Sequence, residues 1–168
     1  MTTQQPPAAS LRIRNSALAL VVRDGHLLLG HGDWPRPGTW WLPGGGQWPG
    51  ETLTACVVRE VLEETGVRVK TGPLLWLREY VPANHPGEPI TDADGHRVEA
   101  LFACSVVSEP ERLGGIVPDD YQSGIAWVPV EKASGLRLIP AHLRNRLPAL
   151  VAQAAEGQAR ARYEGDVA

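Results

Sequence analysis

The chain is poor in cysteine, in long apolar runs and in positive charge, and each shortage excludes a class of protein. Its two cysteines, Cys56 and Cys104, stand far apart in 168 residues. A disulfide framework needs more cysteines, and a zinc site needs closer spacing. Both are expected as reduced, part-buried thiols in a cytoplasmic protein. No apolar run approaches the ~18 residues of a membrane-spanning helix, so no membrane partner is expected. The opening MTTQQPPAASLR lacks the charged and apolar sections of a secretory leader. The formal net charge is −3, whereas a nucleic-acid-binding domain is usually basic, so no specific nucleic acid is expected as a partner.

The chain does have ordinary globular content, at 43% hydrophobic and 21% charged residues. That composition is unlike a disordered segment, and the length suits one domain with a sizeable core. A flexible N-terminal tail is expected over 1–10, a single domain over 11–155 and a C-terminal tail over 156–168. No internal repeat or linker interrupts the domain.

Between Arg12 and Gly30 the sequence predicts a hairpin turning at Asp24-Gly25. A loop rich in Pro and Gly follows, then a short strand at Trp40-Trp41 running into the glycine loop Gly44-Gly45-Gly46. A helix is expected next, with Thr52 as N-cap, an apolar side made by Val57, Val58, Val61 and Leu62, and Gly66 as C-cap. PLLWLREYV, HRVEALFACSVV and GIAWVPV read as strands. The long loop PANHPGEPITDADG between the first two has the character of a functional segment. The last part has helical spacing, broken or kinked by Pro148. Strands on either side of a central helix predict an α/β or α+β fold with a mixed sheet.

The helix carries Glu60, Glu63 and Glu64 on one arc beside the apolar stripe. Like charges three and four apart repel by a few tenths of a kcal/mol per pair. One reading is a solvated acidic face. The other is a hard divalent cation, Mg²⁺ or Mn²⁺, held by oxygen ligands at i and i+4. Magnesium keeps waters and takes substrate phosphates, which implies a phosphorylated substrate. The glycines permit close backbone approach, so that a carbonyl faces a metal or an amide a phosphate. Arg59, one turn from Glu63, is placed to swing toward Glu51 and tie the loop to the helix.

The string from Gly45 to Val67 resembles the Nudix box: glycine, five residues, glutamate, seven residues, then Arg-Glu, an apolar residue, one residue, Glu-Glu, one residue, Gly and an apolar residue. Gly45, Glu51, Arg59, Glu60, Val61, Glu63, Glu64, Gly66 and Val67 fill every specified position. Such a match is far more specific than a lone G-x-G-x-x-G. The sequence departs from many members at Trp48, which stands three positions before Glu51 where an acidic residue is common.

The resemblance implies an α/β/α sandwich with a mixed sheet. It implies metal-dependent hydrolysis of a nucleoside diphosphate linked to another moiety, as in a nucleoside triphosphate, ADP-ribose or a nucleotide sugar. It implies Glu60 and Glu64 as the main ligands of Mg²⁺ or Mn²⁺, Glu63 as a ligand or base, and the Gly45 carbonyl as a further ligand. Glu51 and Arg59 would support the box, and a homodimer would be in keeping with the family. Two alternatives share the fold. One is a nucleotide sensor without turnover, which usually loses box glutamates; none is lost here. The other is an isomerase of prenyl diphosphates.

Outside the box, VPDDYQSG precedes Trp127, where family members often carry a further base or ligand. Asp119 and Asp120 are the candidates there, with Asp120 the stronger, and Gln122 stands where many relatives have glutamate. Trp34, Trp40, Trp41 and Trp48 gather around the glycine loop, and Trp40 is the candidate to stack on a nucleobase. Arg78 with Glu79, and Arg97 with Glu99, are placed on strands where both arginines are candidates for substrate binding. The five histidines match no metal-site spacing and are expected at the surface.

Overall fold

The computed structural model describes residues 12–87, 95–117, 120–157 and 160–168. The expected N-terminal tail and Asp119 lie outside the described residues. Strand β1 (Arg12–Arg23) turns through Asp24 and Gly25, both at positive φ, into β2 (His26–Gly32). Then come β3 (Thr39–Trp41), β4 (Gly44–Gly46), helix α1 (Leu53–Thr65) and β5 (Arg68–Tyr80). A 3₁₀ turn (Pro82–Asn84) precedes β6 (Gly95–Ser108) and β7 (Gln122–Pro129). The one-turn helix α2 (Val130–Ala133), β8 (Arg137–Ile139), α3 (Leu143–Glu156) and β9 (Arg162–Asp166) complete the order.

The sheet runs β8-β3-β2-β1-β6-β5-β9, with β4 added to β1 and β7 to β2. Three of its pairings, β1 with β6, β3 with β8 and β5 with β9, are parallel and the rest antiparallel, so the sheet is mixed as expected.

Alternation along β1 divides the core. Ala17, Ala19 and Val21 join Val57 and Val61 of α1 on one face. Leu20 joins Leu143, Leu147 and Leu150 of α3 on the other. The sheet therefore lies between two helical layers. Leu and Val side chains lost wholly from water contribute roughly 1.5–3 kcal/mol each, and both layers are built of them.

The ends of α1 follow their sequence signals. The Thr52 hydroxyl accepts from the Ala55 amide at 3.1 Å, and Gly66 closes the helix at φ 76° with its amide on the Leu62 carbonyl. Three expectations are corrected. The glycine loop is a strand, β4, registered against Ser16, Ala17 and Leu18. Helix α3 is not broken at Pro148 but continues through it, with Leu143, Leu147 and Leu150 packed in the core on either side of the lost main-chain hydrogen bond. The stretch read as a C-terminal tail contains β9, which occupies an edge of the sheet beside β5. Its sequence ARYEGDVA is too short and polar to announce a strand.

Candidate active site

One cavity of about 660 Å³ opens where β4 crosses the polar end of β1. Alternation builds its floor. Arg14 lies opposite Arg97 and Ser16 opposite Glu99 in the β1–β6 ladder, and Arg78 lies opposite Glu99 in the β5–β6 ladder. All of them line the cavity, as do Glu60 and Glu64 of α1. Trp34, Trp41 and Tyr121 supply an aromatic wall. The Tyr121 ring lies 5.2 Å from that of Trp34 and 5.6 Å from that of Trp41.

Glu60 and Glu64 reach this space because β4 has no side chains. A Cβ added at Gly45 would lie 2.6 Å from Glu60 Cδ, so only glycine permits the approach. The Gly45 carbonyl also accepts a weak bond from Cys56 Sγ at 3.6 Å, which places it over the helix face from which Glu60 projects. Glu64 is 4% exposed, and its Oε2 accepts from the Gly44 amide at 3.1 Å.

Arg59 organises the rest of the box. Its Nε and Nη2 donate to the two oxygens of Glu51 at 2.8 and 2.9 Å, a bidentate pair. Its Nη1 donates to Glu60 at 2.8 Å and Glu63 at 2.9 Å, and Nη2 also reaches the Gly46 carbonyl at 3.0 Å. One guanidinium thus faces three carboxylates, and the like-charge repulsion on the helix is answered within the chain. Hydrogen bonding to Arg59 brings the Glu51 carboxyl down to about 2, and the same bond pushes the Arg59 pKa up. The Trp48 amide adds a bond to Glu51 at 3.1 Å. The exposed Trp48 ring covers the guanidinium at 3.8 Å, so the departure at position 48 becomes a lid over Arg59. Burial lifts the Cys56 and Cys104 thiols to about 11 and about 12. Both are free and buried, which makes them inert packing groups.

The other candidates fall unevenly. Glu63 is held by Arg59 and does not line the cavity. Asp120 is exposed and is likewise outside the lining. Gln122 donates to the Glu64 carbonyl at 3.1 Å and so braces the end of α1. Trp40 is corrected as a cavity residue. It packs beside the core under α3, its ring 4.6 Å from that of His31, and the alternation of β3 gives the cavity to Trp41. Arg78 and Arg97 do line the cavity. The partner of Arg78 is Glu99, at 2.7 Å, rather than Glu79. Adjacent strand residues face opposite ways, and Glu79 meets His96 at 2.7 Å and Tyr163 at 2.5 Å instead. The histidines are not simply surface groups: His85 bonds Asp166 at 2.8 Å, and His142 is half-buried against Trp76.

Arg14 and Tyr121 were not singled out by the sequence. The signal for Arg14 was the polar alternation of Arg14 and Ser16 before the apolar run of β1. Tyr121 carried none.

An all-oxygen donor set of two carboxylates and a carbonyl suits a hard divalent cation. Among the described residues, no three His, Cys, Asp or Glu side chains converge into a closed cage. Mg²⁺ rarely has such a cage and keeps open positions for water and phosphate, so the residues present fit it.

A family model described as NUDIX domain matches residues 12–150. No curated protein sequence matches the chain. Among solved structures, an ADP-ribose pyrophosphatase from Streptococcus suis superposes with a TM-score of 0.66 at 15% identity, over 90% of this chain and 98% of that one. A UDP-X diphosphatase gives 0.64 at 18% identity, over 94% and 70%. The MutT protein from Methanosarcina mazei Go1 gives 0.61 at 25% identity, over 84% and 94%. The first two speak to the fold alone.

Proposed function

The chain belongs to the Nudix family of pyrophosphohydrolases, and from that premise we propose that it cleaves the diphosphate linkage of a nucleoside diphosphate joined to another moiety, with Mg²⁺ or Mn²⁺ bound at Glu60 and Glu64. The observation that carries the reading is the convergence of these two carboxylates, the Gly45 strand and three arginines on one cavity. Family members generally use divalent metal ions and act on small nucleotides. No helix among the described residues is long and apolar enough to cross a membrane.

The bound cation would neutralise phosphate oxygens and lower the pKa of a bound water. The chain's own groups do the remainder. Glu60 and Glu64 supply the anionic oxygens, and the Gly45 carbonyl a further one. Arg59 keeps Glu51 ionised, pairs with Glu63 and fixes β4 against α1. Arg14, Arg78 and Arg97 offer guanidinium groups to the non-bridging phosphate oxygens, a pairing that geometry favours. Trp34, Trp41 and Tyr121 offer ring faces to a nucleobase. Glu63 remains a candidate base at the edge of the site.

The test is a panel of nucleoside triphosphates, ADP-ribose, nucleotide sugars and dinucleoside polyphosphates, with products identified by mass spectrometry. Turnover of at least one member is expected with Mg²⁺ or Mn²⁺ and its loss in chelator. Glu60→Gln and Glu64→Gln should each lower kcat by at least ~10²-fold, the usual scale for metal and electrostatic groups of this kind. Full-rate hydrolysis by metal-stripped protein, or near-normal turnover in both variants, refutes the assignment.

A further inference from the structure

We infer that the C-terminal strand β9, which lies beyond the residues 12–150 matched by the family model, is a positioning element of the substrate site and acts through Arg78. The inference rests on the reading of the cavity as a diphosphate site. Strand β9 pairs in parallel with β5, Trp76 opposite Arg162 and Leu77 opposite Tyr163. The register then slips: Glu79 lies opposite Asp166, so the strand bulges beside Arg78, with Gly165 at φ 74°. Past the bulge the Val167 amide donates to the Glu79 carbonyl at 3.1 Å. The Val167 carbonyl turns inward and accepts from Arg78 Nη1 at 2.5 Å.

That bond completes the clamp on the guanidinium. Glu99 takes Nε at 2.7 Å and Nη2 at 2.6 Å from one edge, and Val167 takes Nη1 from another. A guanidinium has five N–H groups, and these contacts use three. The remaining two belong to a side chain that lines the cavity and is 2% exposed, so Arg78 offers an edge in one fixed orientation. A guanidinium pre-set in this way loses little entropy on meeting a phosphate.

Asp166 holds the clamp in place. Its Oδ1 accepts from the Val81 amide at 2.9 Å and His85 Nε2 at 2.8 Å, and its Oδ2 accepts from Asn84 Nδ2 at 2.7 Å. One carboxylate thereby ties the bulge to the 3₁₀ turn at the end of β5. The far end is tied to α3: an Ala168 main-chain oxygen accepts from the His142 amide at 3.3 Å, and Arg146 pairs with Glu164. Asp166 does not line the cavity, so its effect on binding is indirect, and the contact that reaches the cavity side chain is Val167 on Arg78.

The test is a double-mutant cycle in the full chain, on the best substrate of the panel. Asp166→Ala should raise KM about tenfold with kcat within about twofold, the signature of a charge-assisted contact present equally in ground and transition states. Asp166→Asn, which keeps an acceptor on Oδ1, should recover most of the loss. In an Arg78→Lys background, Asp166→Ala should raise KM little further, since the two residues act as one unit. Asn84→Ala is the milder variant if Asp166→Ala does not fold, with a smaller KM rise expected. Additive effects on KM, or a lower melting temperature with unchanged KM, overturn the inference. A readout independent of turnover is the exchange rate of the Arg78 Nε proton by nitrogen-15 NMR. It should quicken in Asp166→Ala; an unchanged rate overturns the clamp. If the wild-type chain hydrolyses nothing in the panel, the functional reading fails, and this proton still decides the clamp.

Discussion

Replacing Glu51 by Gln is the sharpest test of how the box holds itself together. Glu51 lies about two turns before Arg59 along the chain, too far for contact along one straight helix. The structure brings them together by folding the segment after β4 back over α1, and the bidentate pair at 2.8 and 2.9 Å is the tie. Gln keeps the shape but has one acceptor oxygen and no charge. A hydrogen bond to a charged partner contributes about 1.5–3 kcal/mol. Arg59 retains Glu60 and Glu63, so a net loss of about 2 kcal/mol is expected, a fall in Tm of about 4–8 °C for a chain of this size.

The comparison variant is Glu64→Gln, measured in chelator. Its amide oxygen can still accept from the Gly44 amide, and a charge beside Glu60 is removed, so its Tm should move by less than about 2 °C. The two should also differ in pH dependence. The Glu51 carboxyl is brought from 4.5 to about 2 by the fold, so the folded state binds fewer protons in that window. Its contribution is complete above pH 4.5 and is lost as pH falls toward 2. The gap between wild type and Glu51→Gln should narrow over that interval. Circular dichroism melts of the three proteins at pH 7 and at steps below 4.5 decide it. Equal stability for Glu51→Gln and wild type, or a gap independent of pH, refutes the argument.

Three further outcomes follow from the same geometry. Gly45→Ala sets a methyl group against Glu60 Cδ at 2.6 Å and should cost about 1–3 kcal/mol of stability and most of the activity; a fully active variant would show that β4 has room to move. Burial pushes the His142 pKa below its ordinary 6.5, so the unfolded chain takes up a proton there before the folded one does. Stability should fall as pH drops below 6.5, and urea titrations from pH 7.5 to 5 should show a flatter profile for His142→Asn. Trp34→Ala should raise KM for the best nucleotide while leaving hydrolysis of a substrate without a base near normal, as read by steady-state kinetics; equal losses on both would remove the ring from base binding.

The box was legible because it is local. Thr52 and Gly66 act within a few residues of themselves, the partners of Arg59 all lie within the one short motif, and helix periodicity fixes which side chains share an arc. Strand existence was legible for the same reason, from alternation in β1, β5 and β6. What escaped reading depends on register and on contacts distant in sequence. Gly44–Gly46 reads as a loop because glycine weakens a strand; its pairing with Ser16, Ala17 and Leu18 becomes visible only once β1 is in place. Trp40 and Trp41 are equivalent in composition, and only the facing of β3 decides that Trp41 meets the cavity. Arg78 found Glu99 rather than its neighbour Glu79, because partners across a ladder are set by registry and not by adjacency. Strand β9 escaped entirely. Its anchor is Asp166 on Val81, Asn84 and His85, an interaction with no local pattern.

The acidic arc that pointed to a cation is tied down in part by Arg59 without one, and this has a measurable consequence. Arg59 faces Glu51, Glu60 and Glu63, and the Gly44 amide faces Glu64. These ties lead us to expect a fold that forms without metal, unlike a zinc finger that is unfolded when empty. Wild-type protein in chelator should melt cooperatively. Mg²⁺ should then stabilise it only by mass action, about 1.4 kcal/mol at ten times its dissociation constant, or a Tm rise of about 3–6 °C. The Glu variants separate the two roles. In Glu51→Gln the baseline falls and the Mg²⁺ increment survives, since the carboxylates facing the cavity are intact. In Glu64→Gln the baseline holds and the increment is lost. Melting curves with Mg²⁺ stepped from zero to tens of millimolar, a range set by the weak binding of an open oxygen site, read both quantities at once. A wild-type protein already unfolded in chelator would mean that the Arg59 network is too weak to hold the box alone. An increment lost equally in both variants would place Glu51 among the cation's ligands and end the division between support and site.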